Sequence, residues 1–173
     1  DSGEVIVRSD WDFSRPESTW LFFRVSPRDH SPFAYGNHLA LVRGSDALAV
    51  ETNVVGASNT GYEQGWFGTA LAQNSVSSPS GKLPAGAECL LEACTVGVGF
   101  AYMRGRVGSA GEGQPGRPRG ASAAARGSPE TVGPFEFTRE VVAFCEGLAV
   151  VRDRVRGLSD PVWALHMLDE PKL

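Results

Sequence analysis

Arg139-Glu-Val-Val-Ala-Phe-Cys-Glu-Gly-Leu-Ala-Val-Val-Arg-Asp-Arg-Val-Arg-Gly-Leu158 reads in two ways, and the choice between them sets the fold class. Val141, Phe144, Cys145, Leu148, Val151 and Val155 recur near the helical period, which would lay one apolar stripe along a helix. Glu146-Gly147 can equally turn a hairpin between strands Val141–Cys145 and Leu148–Val155. A helix would carry Gly147 in its middle at a cost of about 1 kcal/mol. Valine is dense on both sides, where a pleated surface suits it. The hairpin is therefore the favoured reading of 139–157, with the helix as its alternative.

Working outward, most of the chain repeats that β character. Residues 3–9 and 18–26 are short β-branched or aromatic runs bounded by turn formers, and both read as strands. His38 to Val42 and Ala47 to Val50 read as two strands around the turn Arg43-Gly44-Ser45-Asp46. Trp66-Phe67-Gly68-Thr69-Ala70-Leu71 is expected to form a strand, followed by a loop from Gln73 to Gly81. Residues 88–107 are too long for one typical strand, so Gly97 and Gly99 are expected to mark a bulge or the bend between two. Pro161 to Leu168 reads as a final buried strand with Trp163 inward. From Ser109 to Pro134 the composition changes to Gly, Pro, Ala, Ser and Arg, which cannot offset its ordering entropy by burial, so a flexible insertion is expected there. The predicted fold is mainly β: one domain over 1–173, an antiparallel β-sandwich of jelly-roll or SPRY-like kind, with little helix and an insertion at 109–134.

The 173 residues carry 16 basic and 20 acidic side chains, a net charge of −4, which argues against general binding to nucleic acid. No apolar run reaches the roughly 20 residues that cross a bilayer, so no membrane insertion is expected. The first residue is not Met, which suggests a processed form or a piece of a longer chain. Cys89, Cys94 and Cys145 make an odd count with no zinc spacing, favouring a reducing intracellular compartment. Cys89 and Cys94 are five residues apart, and strand alternation would put their sulfurs on opposite faces. Arg outnumbers Lys 14 to 2, a bias that fits a high-GC coding source.

Chemistry-bearing motifs are sparse. Asp10, Asp12 and Glu17 lie close along the chain, as do His30 and His38, and together they suggest a metal- or carboxylate-dependent hydrolase. Turn chemistry explains the same acidic and hydroxyl residues without a site. No nucleophile elbow, phosphate loop or dinucleotide fingerprint occurs, so the domain is read as non-catalytic and without a cofactor. Aromatic loop residues are the better lead, because Trp and Tyr anchors dominate interfaces and loops on a rigid scaffold carry function. Tyr35, Asn37, His38, Tyr62 and Trp66 are the candidate contacts for a protein partner.

Four short motifs share an order with a known family. They are Tyr35-Gly36-Asn37-His38-Leu39-Ala40-Leu41 with Ala49, Tyr62-Glu63-Gln64-Gly65, Leu83-Pro84-Ala85-Gly86-Ala87-Glu88 and Pro161-Val162-Trp163-Ala164-Leu165. Over about residues 20–168 this order resembles the neuralized homology repeat, a relative in architecture of the SPRY β-sandwiches. Glu51 stands where that family usually has Arg, and 109–134 has no counterpart. The resemblance implies a protein-recognition module that selects substrates for ubiquitin ligases and does no catalysis itself. A host-interaction or structural protein of a high-GC virus or bacterium is a further expectation, from the Arg bias and the insertion.

Overall fold

The computed structural model describes residues 3–12, 15, 17–25, 36–50, 66, 69–81, 87–109 and 135–167, with strand over 60% of them and no α-helix. The first four strands, β1 (Glu4–Arg8), β2 (Thr19–Arg24), β3 (His38–Arg43) and β4 (Asp46–Ala49), form an antiparallel meander. A second four-stranded antiparallel meander holds β6 (Ala87–Gly97), β7 (Phe100–Ser109), β8 (Glu136–Phe144) and β9 (Ala149–Arg156). Between them in sequence lies β5 (Val76–Ser77), which pairs with the last strand, β10 (Val162–Trp163), in a small sheet of its own. Neither large sheet closes on itself. No helix among the described residues is long and apolar enough to cross a membrane.

Residues 139–157 form the hairpin and not the helix. β8 and β9 pair from Glu136↔Arg156 to Ala143↔Ala149 around the turn at 145–148. Gly147 turns the chain at φ 85, in the left-handed region, and a Cβ there would also come 2.8 Å from Thr19 Oγ1. Gly97 and Gly99 lie at the bend between β6 and β7, whose turn is Val98-Gly99.

Alternation explains the core. Leu21, Phe23, Val25 and Leu39 from the first sheet and its flank share one buried apolar cluster with Met103, Val141 and Ala143 from the second. A second cluster, on the same face of the second sheet but nearer its other end, joins Val107 and Phe137 to Phe135, Ala70 and Val76. Full burial of a Phe such as Phe23 or Phe137 contributes about 1.5–3 kcal/mol. Gly108 and Glu136 are cross-strand partners, and Phe135 is buried just before β8, so both ends of the 110–134 stretch are fixed side by side. That stretch itself, the core of the expected insertion, lies outside the described residues.

Three expectations need correction. The strand expected over 66–71 is replaced by a 3-10 turn at Ala70–Ala72. Local bonds cause this: Thr69 donates from both its N and its Oγ1 to the Trp66 carbonyl, at 2.8 and 2.7 Å, and Gln73 N donates to the Ala70 carbonyl. At the C-terminal end, β10 is only two residues long and Trp163 is 53% exposed. Its phase is reversed because Ala164 N donates to the Ser75 carbonyl and His166 N to Asn74 Oδ1, turning the even-numbered residues inward. Thirdly, the register of β6 against β7 shifts between Leu91 and Ala93. That bulge adds one residue to the alternation, so Cys89 faces Val107 and Cys94 faces Met103, both on the core side of β7. The two sulfurs share a face, and all three cysteines are free thiols.

Candidate functional site

One layer of polar side chains crosses the interior between the two apolar clusters. In the second sheet it is the cross-strand row Leu91, Gly105, Arg139 and Asp153. The rows on either side are apolar: Met103, Val141 and Val151 on one, Val107, Phe137 and Val155 on the other. Arg139 is 1% exposed, and its guanidinium holds Asp153 in a two-point contact, Nε to Oδ1 at 2.8 Å and Nη2 to Oδ2 at 2.7 Å. Such planar pairing is what suits arginine to a buried position.

The first sheet meets this row through Asn37. It occupies the left-handed region at φ 56, a conformation Asn tolerates better than most residues. Its Nδ2 donates to the carbonyls of Gly105 and Phe137 at 3.2 and 3.3 Å, and its own carbonyl accepts from Arg139 Nη1 at 2.7 Å. Close approach depends on Gly105. A Cβ there would run into Asn37 Oδ1 and come 2.5 Å from Val25 Cγ2 and 2.9 Å from Phe23 Cζ.

Asn74, just past the 3-10 turn, ties in the remaining elements. Its Nδ2 donates to the carbonyls of Leu39 and Val50, its carbonyl accepts from Arg139 Nη1 at 2.5 Å, and its N donates to His38 Nδ1 at 3.4 Å. Ser75 Oγ donates to the Gly36 carbonyl. His166 is half-buried, with Nε2 2.8 Å from the Leu71 carbonyl and its ring edge-on to Trp66 at 6.5 Å. Burial, with the nearby charges of Arg139 and Arg24 and His166, pushes the His38 imidazole down to about 3, so it is neutral at pH 7. Gln73 is fully buried, and neither atom of its side-chain amide has a hydrogen-bond partner among the described residues.

Of the five candidate contacts, Tyr35 and Tyr62 lie outside the described residues. The other three are brought into one network: Asn37 through Arg139, His38 through Asn74, and Trp66 through His166. Asn37 and His38 have no exposed surface, so their contribution to any partner passes through the backbone they hold. Sequence reasoning missed Asn74, Arg139 and Asp153. A signal for the last two existed, because both fall on the apolar phase of their strands.

Among the described residues, Asp10 and Asp12 do not come together with His38. Asp12 N donates to Asp10 Oδ1 at 2.8 Å, and Arg15 pairs with Asp10 at 2.9 Å, which is turn chemistry. Those residues follow the Arg8 end of β1, whereas His38 opens β3 opposite Arg24, at the other end of that sheet. His30 lies outside the described residues. Among the described residues no three His, Cys, Asp or Glu side chains are grouped so as to hold a metal ion.

No protein-family model matches the chain, and no curated protein matches it in sequence. The likeness to the neuralized homology repeat therefore rests on its motifs alone. Two of these, at 62–65 and 83–86, fall outside the described residues. In the others, Leu39 and Ala49 are buried, while Trp163 faces outward.

Proposed function

We propose that this protein is a non-catalytic recognition module, a β-sandwich that binds a protein partner through the connections at one end. The supporting observation is the unequal distribution of connections. At one end the strands are joined through 44–45, 98–99, 145–148 and 9–18, and Thr19 of the first sheet lies against the Gly147 turn of the second. The connections through 25–37, 50–75, 78–86 and 110–135 all leave from the opposite end. Long connections on a rigid scaffold are where binding surfaces usually sit. The Arg139 network favours this reading, since it fixes the roots of two of them, Asn37 at the end of 25–37 and Val50 and Asn74 at the two ends of 50–75.

Affinity in this reading comes from aromatic anchors, Tyr35, Tyr62 and Trp66, and from backbone hydrogen bonds. The test compares two ends of the same molecule. Tyr35→Ala and Tyr62→Ala are expected to abolish capture of a partner without moving the melting temperature. Trp11→Ala and Val98→Ser, at the exposed opposite end, are expected to leave capture intact. The reading fails if the second pair abolishes capture and the first does not.

A further inference from the structure

The outer edge of the second sheet lies apart from the connections considered above. β9 is its last strand, and among the described residues it pairs only with β8. No other backbone partner among the described residues meets 149–156, so alternate N–H and C=O groups along this edge point away from the described sheet. An open edge of this kind can be extended by one more strand.

The two faces of β9 differ sharply. Val151, Asp153 and Val155 point to the core side, and Arg152, Arg154 and Arg156 point outward and are exposed. Arg152 reaches Glu140 only loosely, at 3.6 Å, and neither Arg154 nor Arg156 makes an ion pair with a described residue. On the core side the strand borders a groove of about 350 Å³, whose opposite wall is Val76, Pro161 and the exposed Trp163. Asp153, which also lines it, is already paired with Arg139.

We propose that β9 accepts an extended segment of another protein in which acidic residues alternate with apolar ones. Side chains of an added strand would alternate as those of β9 do. One set lies over the groove, where Val151, Val155 and Trp163 favour apolar groups. The other set lies beside Arg152, Arg154 and Arg156, where carboxylates are favoured and cations repelled. Charge also argues against a second copy as occupant. Two-fold antiparallel pairings of β9 that keep both core sides together and are centred anywhere from Arg152 to Arg156 set arginine against arginine, such as Arg152 against Arg154. This surface lies along the side of the molecule and does not rest on the end-loop reading.

The test uses a fluorescent eight-residue peptide of alternating valine and glutamate, and a companion with lysine for glutamate. The glutamate peptide is expected to bind at least about tenfold tighter, three cross-strand charge pairs being enough for that difference. Amide exchange should slow at 149–156, and the double variant Arg154→Glu/Arg156→Glu should reverse the preference. Trp163→Ala should weaken both peptides alike, and Tyr62→Ala should change neither. Equal binding of the two peptides, unchanged exchange along β9, or no binding at millimolar peptide overturns the proposal. So does a concentration-dependent dimer in which β9 becomes protected without peptide. Loss of peptide binding leaves partner capture by the loop end untouched, so the two readings fail separately.

Discussion

Removing the Asp153 carboxylate should be costly out of proportion to an ordinary ion pair. Arg139 has five N–H donors, and four contacts are visible: two to Asp153 and one each to the Asn37 and Asn74 carbonyls. Asp153→Asn keeps the shape but leaves a buried guanidinium facing a neutral amide. Breaking one side of a buried pair costs about 3–5 kcal/mol. The Asp153 side chain keeps 17% of its exposure, so water screens part of the loss and about 3 kcal/mol is expected. Arg139→Met removes the charge but strands two buried carbonyls at about 1–3 kcal/mol each, for a loss near 4 kcal/mol. The double variant Arg139→Met/Asp153→Asn has no buried charge left to strand, and should fall short of additivity by about 3 kcal/mol. Urea unfolding of the four proteins, with equal m-values, measures this coupling. A coupling below about 0.5 kcal/mol would mean that the pair behaves like an exposed one, and the layer would lose its assigned role.

Acid should weaken the fold through His38. Its folded value lies near 3 against 6.5 unfolded, so its contribution is complete above pH 6.5 and declines as pH falls toward 3. Between pH 7 and 5 this amounts to about 2 kcal/mol. His38→Asn, which retains an acceptor for Asn74 N, should flatten that slope in urea titrations, and an unchanged slope refutes the assignment. Gly105→Ala forces a methyl group against Asn37, Val25 and Phe23, with an expected loss of about 3 kcal/mol or failure to fold; a neutral thermal melt would contradict this packing. Gln73→Met deletes two buried polar atoms without partners among the described residues, and should raise stability by about 1 kcal/mol. A clear loss instead would mean that the amide is satisfied by a bound group.

The strands of both meanders were readable because each has a local cause. Trp, Leu and Phe crowd β2 and Leu and Val crowd β3, and valine flanks a glycine that can adopt positive φ at 147. Failures occurred where distant bonds decided the outcome. Trp163 turned outward because Asn74 and Ser75, far back in the chain, fix the phase of Ala164 and His166. The bulge at Leu91/Ala93 has no glycine to announce it, so the cysteine faces were misassigned. For the site, the sequence offers Asn37 and His38 among the candidate contacts, with Tyr35, Tyr62 and Trp66. Their interior role depends on Arg139 and Asn74, and no spacing along the chain connects those residues. Arg139 and Asp153 did break the apolar alternation of β8 and β9, a local signal that buried charge was being paired.

Gly108 and Glu136 face each other across adjacent strands, so the chain leaves the second sheet and re-enters it at neighbouring points. Such a gate sets no required length for whatever joins the two sides. Doubling a flexible tether adds only about 0.6 kcal/mol of closure entropy. Evolutionary drift can therefore lengthen, trim or rewrite the stretch between them while the scaffold keeps its registration, and an engineer could graft a foreign sequence at the same place.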